Sequence, residues 1–374
     1  MKLSISKSEL LKGLTRIQSI VEKRNTMPIL ANVLLEATNK PDDGALSLAA
    51  TDLEVGIRGT HPAQVETAGS ITVSAKKLYE IIRELPEEPI SLSVSSNSYL
   101  GIRCARSEFN LAGSSAEEYP TLPTLSPDHM ASVQAAILGE MIEKTMYAAS
   151  LDETRYNLNG VFLEIQPNTE KLRMVATDGH RLAYVDRNLG GEISGLADGV
   201  IIPRKGLAEL KRLVDEADVE EIEIAFEGNS GVARKGPVTL YMRLIEGEFP
   251  KYQQVVPTEI THQLIINSDA FSQALRRVAL LSAERSRAVK IDLVEGQLSL
   301  SSNNPDLGEA REELDVDYAG EELSIAFNAR YLLDSLAALR AKEVRLGFHD
   351  SLSPTRVVPT DDDDALAVVM PMRV

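Results

Sequence analysis

Cysteine occurs once, as Cys104, which excludes an intrachain disulfide and any cysteine-based zinc site. Tryptophan is absent and aromatic residues make up 5% of the chain, so the cores must be built mostly from Leu, Ile, Val and Ala. The five histidines (His61, His129, His180, His262 and His349) stand far apart, and none has a metal-ligand spacing from another. Neither a metal nor another cofactor is expected. No apolar run approaches the ~18 residues of a membrane span. The opening MKLSISKSELLKG lacks an apolar stretch of signal-peptide length, so the expectation is a reduced, cytoplasmic protein without a membrane partner. Zinc-finger and RNP signatures are missing too, so any nucleic acid would be held through its backbone rather than read by sequence.

The 374 residues suggest two or three domains of ~100–200 residues. Three segments share one grammar of alternating strand, short polar turn and alternating strand: LSLAATDLEVGIRG (46–59), LRMVATDGHRLAYVD (172–186) and LSLSSNNPDLGEAREEL (298–314). Their turn residues Thr51, Thr177 and Asn303 are spaced by 126 residues each time. A strand running into an amphipathic helix follows each: ITVSAKKLYEIIREL (71–85), VIIPRKGLAELKRLV (200–214) and LSIAFNARYLLDSLAAL (323–339). A helix precedes each, with buried-face candidates Leu10/Leu14/Ile17, Met141/Thr145/Ala148 and Phe271/Leu275/Val278. Ser6 and Ser268 are the expected helix caps. The chain therefore reads as three α+β repeats, each with two helices and several antiparallel strands, with limits at 1–125, 126–256 and 257–374. The linkers at 117–129 and 248–262 both begin Glu-aromatic-Pro.

The net charge of −17 argues on its own against nucleic acid. Its distribution argues otherwise. Helical segments predicted at 7–24, 76–84, 140–144, 204–216, 269–290 and 330–343 together carry +8, which leaves −25 for the remainder. Phosphate attraction acts over a Debye length of ~8–10 Å, so a basic helical face can bind DNA on an acidic body. The run Asp361–Asp364 reads as a solvated loop, because it lacks the glycine turn of a calcium loop.

Particular residues carry a family resemblance. RYNLNG (155–160) with ATDGHRLA (176–183), IIPRKG (201–206), RNTMPILANVLLEA (24–37), SNNP (302–305), FNARYLLDSL (327–336) and the C-terminal VVMPMRV (368–374) resemble the bacterial DNA polymerase III beta subunits, the beta sliding clamps. The resemblance runs in order along the whole chain. It implies three tandem copies of a DNA-clamp domain, with two chains closing head to tail into a homodimeric ring. Helices would line a hole around double-stranded DNA. The replicative polymerase catalytic subunit, the clamp loader, and other DNA polymerases and repair proteins would dock through short linear motifs.

Carried over by motif, the pocket for such peptides would be lined by Leu158, Thr177, Gly179, His180, Arg181, Leu182, Pro250, Val255, Val368, Met370, Pro371, Met372 and Arg373. Apolar side chains with methionines make an adaptable lining for Leu and Phe anchors, with Arg181 and Arg373 expected at the rim. DNA contacts would fall on Arg24, Arg155, Tyr156, Arg204 and Lys205. The dimer contact would pair Phe109 and Leu111 of one chain with Leu280 and Leu281 of the other. The chain departs from some members at Gln254, where they carry a basic residue, at Asn157, where they carry tyrosine, and at its final Val374.

Two other readings compete. Asp178 and His180 suggest an acid–base pair, but no GxSxG or GxxxxGK[ST] motif accompanies them. The repeat also puts Asp52 and Asn304 at corresponding turns with no histidine, as a structural turn would. A processivity factor without catalytic activity is expected. An acidic repeat scaffold that binds only proteins would explain the repeats and the net charge, but not the basic helices.

Overall fold

The computed structural model describes residues 1–21, 27–39, 44–95, 97–123, 130–167, 169–190, 193–216, 220–284 and 286–373. The first repeat runs β1 (Lys2–Ile5), α1 (Lys7–Ile17), β2 (Asn32–Thr38), β3 (Ala45–Thr51), β4 (Val55–Pro62), β5 (Gln64–Thr67), β6 (Gly69–Ser74), α2 (Ala75–Glu84), β7 (Ile90–Val94), β8 (Tyr99–Cys104) and β9 (Ser107–Ser114). The second runs β10 (Ala131–Gln134), α3 (Ala135–Met146), β11 (Gly160–Ile165), β12 (Leu172–Thr177), β13 (Arg181–Arg187), β14 (Val200–Pro203), α4 (Arg204–Asp215), β15 (Glu221–Glu227), β16 (Ser230–Lys235) and β17 (Val238–Arg243). The third runs β18 (His262–Asn267), α5 (Ser268–Ala279), β19 (Ala288–Val294), β20 (Gln297–Asn304), β21 (Gly308–Asp315), β22 (Leu323–Asn328), α6 (Ala329–Leu339), β23 (Glu343–Phe348), β24 (Thr355–Pro359) and β25 (Ala365–Val369).

The order exposes a smaller unit than the one read from sequence. Apart from β5, each repeat is strand–helix–three strands, twice over. All three expected helix faces are buried: Leu10, Leu14 and Ile17 are at most 2% exposed, as are Met141, Thr145 and Ala148, and Phe271, Leu275 and Val278. Each large apolar side chain there contributes ~1.5–3 kcal/mol relative to exposure.

Four helices and one cap differ from expectation: α3 spans Ala135–Met146 rather than 140–144, α6 ends at Leu339 rather than 343, and two other helices end early. Helix α1 ends at Ile17, and α5 ends at Ala279, before β19 begins at Ala288. The helices as observed therefore carry +5 rather than +8. Ser6 caps α1 as expected, accepting from Glu9 N, but the cap of α5 is Asn267, which accepts from Ala270 N, and Ser268 is the first helical residue.

The chain falls into two compact units. One comprises Met1–Ala135, Gly190–Gly195 and Ala208–Leu244, and the other Ala136–Leu189, Leu196–Leu207 and Ile245–Val374. The first holds a sheet of 13 strands in the order β10-β15-β16-β17-β4-β3-β2-β6-β9-β8-β7-β1-β5. The second holds an eight-stranded sheet, β14-β11-β12-β13-β25-β24-β23-β18, and a four-stranded one, β21-β20-β19-β22. Among the described residues the central repeat thus has no sheet of its own. Its β17 pairs antiparallel with β4, and its β13 pairs antiparallel with β25.

Candidate functional site

The β12–β13 turn and the end of the chain meet in the second unit. Thr177 Oγ1 donates to Arg181 O (2.7 Å) and accepts from Gly179 N (3.1 Å). Asp178 Oδ1 accepts from His180 N (2.9 Å) and Arg181 N (3.0 Å). Gly179 has φ +86°, a backbone state that a side chain would strain. Past β25 the chain continues along this turn, where Met370 N donates to His180 O (2.9 Å). Met372 N then donates to Ala326 O (2.7 Å), which ties the final residues to β22.

Below the turn lies an apolar floor of Val175, Leu182, Tyr252, Val358, Leu366 and Val368, with Phe162, Tyr184, Phe249 and Val256 packed against it. Phe162 and Phe249 stack with ring centres 5.1 Å apart. Arg173 braces the floor, lying over the Tyr184 ring at 4.0 Å and bonding to both oxygens of Asp186 at 2.6 Å. Burial, helped by the bond to Glu164, pushes the Tyr252 phenol up to about 12, so it stays neutral.

Of the expected lining, Leu182 and Val368 form part of the floor and Thr177 is buried in the turn. Leu158, Met370, Pro371 and Met372 are half-buried, whereas Gly179, His180, Pro250, Val255 and Arg373 are exposed. Floor and exposed apolar lip are what an anchor side chain needs. Arg181 does not fit the rim role expected of it. Its side chain is 11% exposed and is engaged by Asp178 (3.1 Å) and Asp334 (2.6 Å). It also lies over the rings of Tyr331 (4.7 Å) and Tyr147 (5.3 Å). It is a brace for the turn rather than a free donor. Sequence reasoning missed Arg173, Tyr252, Tyr331 and Asp334. Tyr252 lies in the linker at 248–262, and Tyr331 and Asp334 lie in FNARYLLDSL, but neither segment's pattern marks them as pocket supports.

Arg155 is exposed and donates to Asp178 O (2.8 Å), and Tyr156 beside it is 57% exposed. Asn157 donates to Glu248 O (3.0 Å), a structural tie to the linker that follows. Arg204 is partly withdrawn from solvent, since its guanidinium donates to Met146 O (3.2 Å) and Ala149 O (3.5 Å) at the end of α3. Burial, with Arg181 nearby, lowers its pKa from the ordinary arginine value. Lys205 is half-buried, and Arg24 lies outside the described residues, as does Val374. Helix cations are widely paired: Arg16 with Glu216 (2.6 Å), Lys77 with Glu80 (2.8 Å), Arg212 with Glu209 (2.6 Å) and Arg277 with Glu312 (2.5 Å).

Phe109 and Leu280 are exposed, at 39% and 76%, and Leu111 and Leu281 are half-buried, so none is a core residue. The aspartate run lies in a loop, and three of its four carboxylates are ion-paired. Asp362 binds Arg187 and Lys144 (2.8 Å for the latter), Asp364 binds Lys171 (2.6 Å) and Asp363 binds Arg345 (3.3 Å). The run is a loop with Asp361 and Asp363 exposed, as expected, and Asp362 adds a partly buried clasp to it. Among the described residues no group of carboxylates, histidines or cysteines could hold a metal ion. No helix there is long and apolar enough to cross a membrane.

Comparison with known proteins covers the whole molecule. Residues 1–123 match the N-terminal, 132–251 the central and 253–373 the C-terminal domain of the DNA polymerase III beta subunit. The beta sliding clamp of Caulobacter vibrioides is 40% identical over 378 residues, 100% of both chains. The crystal structure of the DNA polymerase III subunit beta from Pseudomonas aeruginosa superposes with a TM-score of 0.93 at 36% identity, covering 100% of both chains. A sliding clamp from Bartonella birtlesii solved bound to griselimycin superposes equally well, with a TM-score of 0.93 at 38% identity and 100% coverage of both chains. With all three domains present in order, the chain belongs to the DNA polymerase III beta subunit family, the beta sliding clamps.

Proposed function

We propose that the protein is a sliding clamp: two copies close head to tail around duplex DNA and tether the replicative polymerase to it. The observation that carries this is the full-length match to clamp relatives across all three domains. The clamp acts without chemistry of its own, in the cytoplasm, where the chromosome of a bacterium lies. Its three domains span 1–125, 126–256 and 257–374.

Ring closure has support in the strand edges. Strand β9 is paired by β8 over Ser107–Ala112, but β6 reaches it only at Gly113 and Ser114. Strand β21 is the last of its sheet, paired by β20 alone. An open edge is a template for another chain. Pairing β9 of one copy with β21 of another would bring Phe109 and Leu111 near Leu280 and Leu281, and would use one edge from each end of the chain. Arg155, Tyr156, Lys205 and Arg24 supply DNA contacts to phosphates, with Arg204 contributing less because it is half-buried where Arg155 is exposed.

The tether is the pocket of the second unit. A Leu or Phe anchor enters over Leu182 and Val368 between Val255, Met370 and Met372, while His180 and Arg373 meet the peptide backbone. Its occupants are short segments of the polymerase catalytic subunit, the clamp loader, and other polymerases and repair proteins.

The test is retention after loading on DNA. A clamp stays on a closed circle and is lost once the circle is cut. Equal loss from both forms would refute the ring and favour an acidic protein-binding scaffold. A native mass near twice 40.8 kDa is the supporting measurement.

A further inference from the structure

The turn between β3 and β4 repeats the pocket turn bond for bond. Thr51 Oγ1 donates to Val55 O (2.9 Å) and accepts from Leu53 N (3.0 Å). Asp52 Oδ1 accepts from Glu54 N (2.9 Å) and Val55 N (2.7 Å). The adjoining strand matches as well: Arg243 N donates to Glu54 O (2.8 Å), as Met370 N does to His180 O. Beneath lie Leu34, Ala49, Tyr119 and Leu122, with Tyr241 against them. By strand register and linker position these correspond to Phe162, Val175, Phe249, Tyr252 and Val368.

The scaffold is shared, but its side chains are redistributed. Gly56 stands where Leu182 stands, and a Cβ there would meet Leu122 at 2.5 Å, so Leu122 supplies the floor instead. A cavity of about 320 Å³ remains above it, lined among others by Leu53, Val55, Tyr241 and Met242. Its mouth carries Glu54 in the place of His180 and Arg243 in the place of Met370, both exposed. Leu53 replaces Gly179. It holds a left-handed φ of +78°, a strained state for leucine, and is 50% exposed, so burial does not offset the strain. An apolar lip beside two charges of opposite sign fits a ligand with an apolar anchor between a base and an acid.

We propose that this cavity is a second docking site for a short linear segment of a partner protein. One aliphatic or aromatic anchor enters the cavity, a basic residue faces Glu54 and an acidic residue faces Arg243. Through the repeat equivalence the proposal rests on the reading of the His180 pocket as a peptide site. The two pockets would select different partners, because their rims differ in charge while their backbones agree.

Methyl-labelled full-length protein titrated with acetyl-Lys-Phe-Leu-Glu-amide tests it. The expected result is saturable shifts of the Leu53, Val55, Leu122 and Met242 methyls at about 1 mM probe. Glu54→Lys and Arg243→Glu should each weaken binding by about three- to fivefold, the worth of a favourable exposed ion pair. Replacing the probe's Lys and Glu by Gln should weaken it comparably. No shift at these methyls, or shifts indifferent to both charge reversals, would overturn the second site. The Met370 and Met372 methyls, titrated separately with a polymerase-derived segment, report the first pocket. Failure there alone would refute the tethering site and leave the second to be judged on its own shifts.

Discussion

Replacing Arg181 by methionine separates bracing from peptide contact. The arginine ties the pocket turn to α6 through Asp178 and Asp334 and covers the faces of Tyr147 and Tyr331. Removing one partner of a fully buried pair costs about 3–5 kcal/mol. Here Asp334 is 32% exposed and Asp178 16%, so water recovers part of the loss and about 2–3 kcal/mol is expected. At about 2–4 °C per kcal/mol for a unit of this size, the unfolding transition of the second unit should fall by roughly 5–10 °C. Peptide affinity should fall as well, because His180 O is the acceptor that holds Met370 in line. A loosened rim would weaken binding by about tenfold, near 1.4 kcal/mol. Calorimetry on Arg181→Met, Asp334→Leu and the double variant gives the coupling, expected at ~1–3 kcal/mol. A transition within about 1 °C of the parent, or additive single effects, would refute the bracing role.

Further outcomes rest on the other ion pairs and on the exposed leucine. Arg204→Ala should cost ~1 kcal/mol by uncapping α3, with a smaller effect on affinity for short linear duplex than Arg155→Ala. Stability should depend on acid through the Arg187–Glu140–Lys144–Asp362 cluster. Burial raises both carboxyls, but bonds from Arg187 and Lys144 outweigh it and hold them below their ordinary 4.5 and 3.8. Their contribution is therefore complete above those values and is lost as pH falls through the depressed ones. Arg187→Met should flatten that acid limb in thermal melts at about pH 3–5. Leu280→Asp should lower the native mass from twice to once 40.8 kDa at about 1 μM, measured by light scattering.

Helices were readable because each has one apolar face in sequence, and Leu10, Leu14 and Ile17 bury as their spacing requires. The turns were readable because Thr51 and Thr177 recur at one period with an aspartate beside each. The half-repeat was not, since its two copies share element order and single helix caps, Ser6 with Ser74 and Asn267 with Asn328, rather than an extended motif. Nor was the division of the central repeat between two sheets. Alternation shows that β4 and β17 are strands, not that they are neighbours about 180 residues apart. The same limit hid the brace: Asp334 lies 153 residues from Arg181, and no local pattern links them. The ends of α1 and α5 were not readable, because the Arg and Lys residues later in those segments suit a helix and a loop alike by sequence. Conversely Arg181 read as an exposed cation because charge alone does not reveal burial.

The charge count bears on how the ring would hold DNA. The helices carry +5 as observed, and several of their cations are already bound to carboxylates. Each cation that such pairing diverts from a phosphate removes about 0.9 from the slope of log affinity against log salt. With Arg155, Lys205 and a few neighbours engaged, equilibrium binding to short linear duplex should be weak, with a slope of roughly −2 to −4. Retention on a closed circle should barely change over the same salt range, because escape there requires a ring interface to open rather than phosphate contacts to break. Measuring both on one preparation divides the two sources of persistence. A slope near about −8 on linear DNA, with matching salt-driven loss from circles, would mean that contact strength holds the protein and that closure does not. Parallel insensitivity on circles, abolished by Leu280→Asp, would locate persistence in the dimer contact, and would explain how so acidic a chain stays on a polyanion.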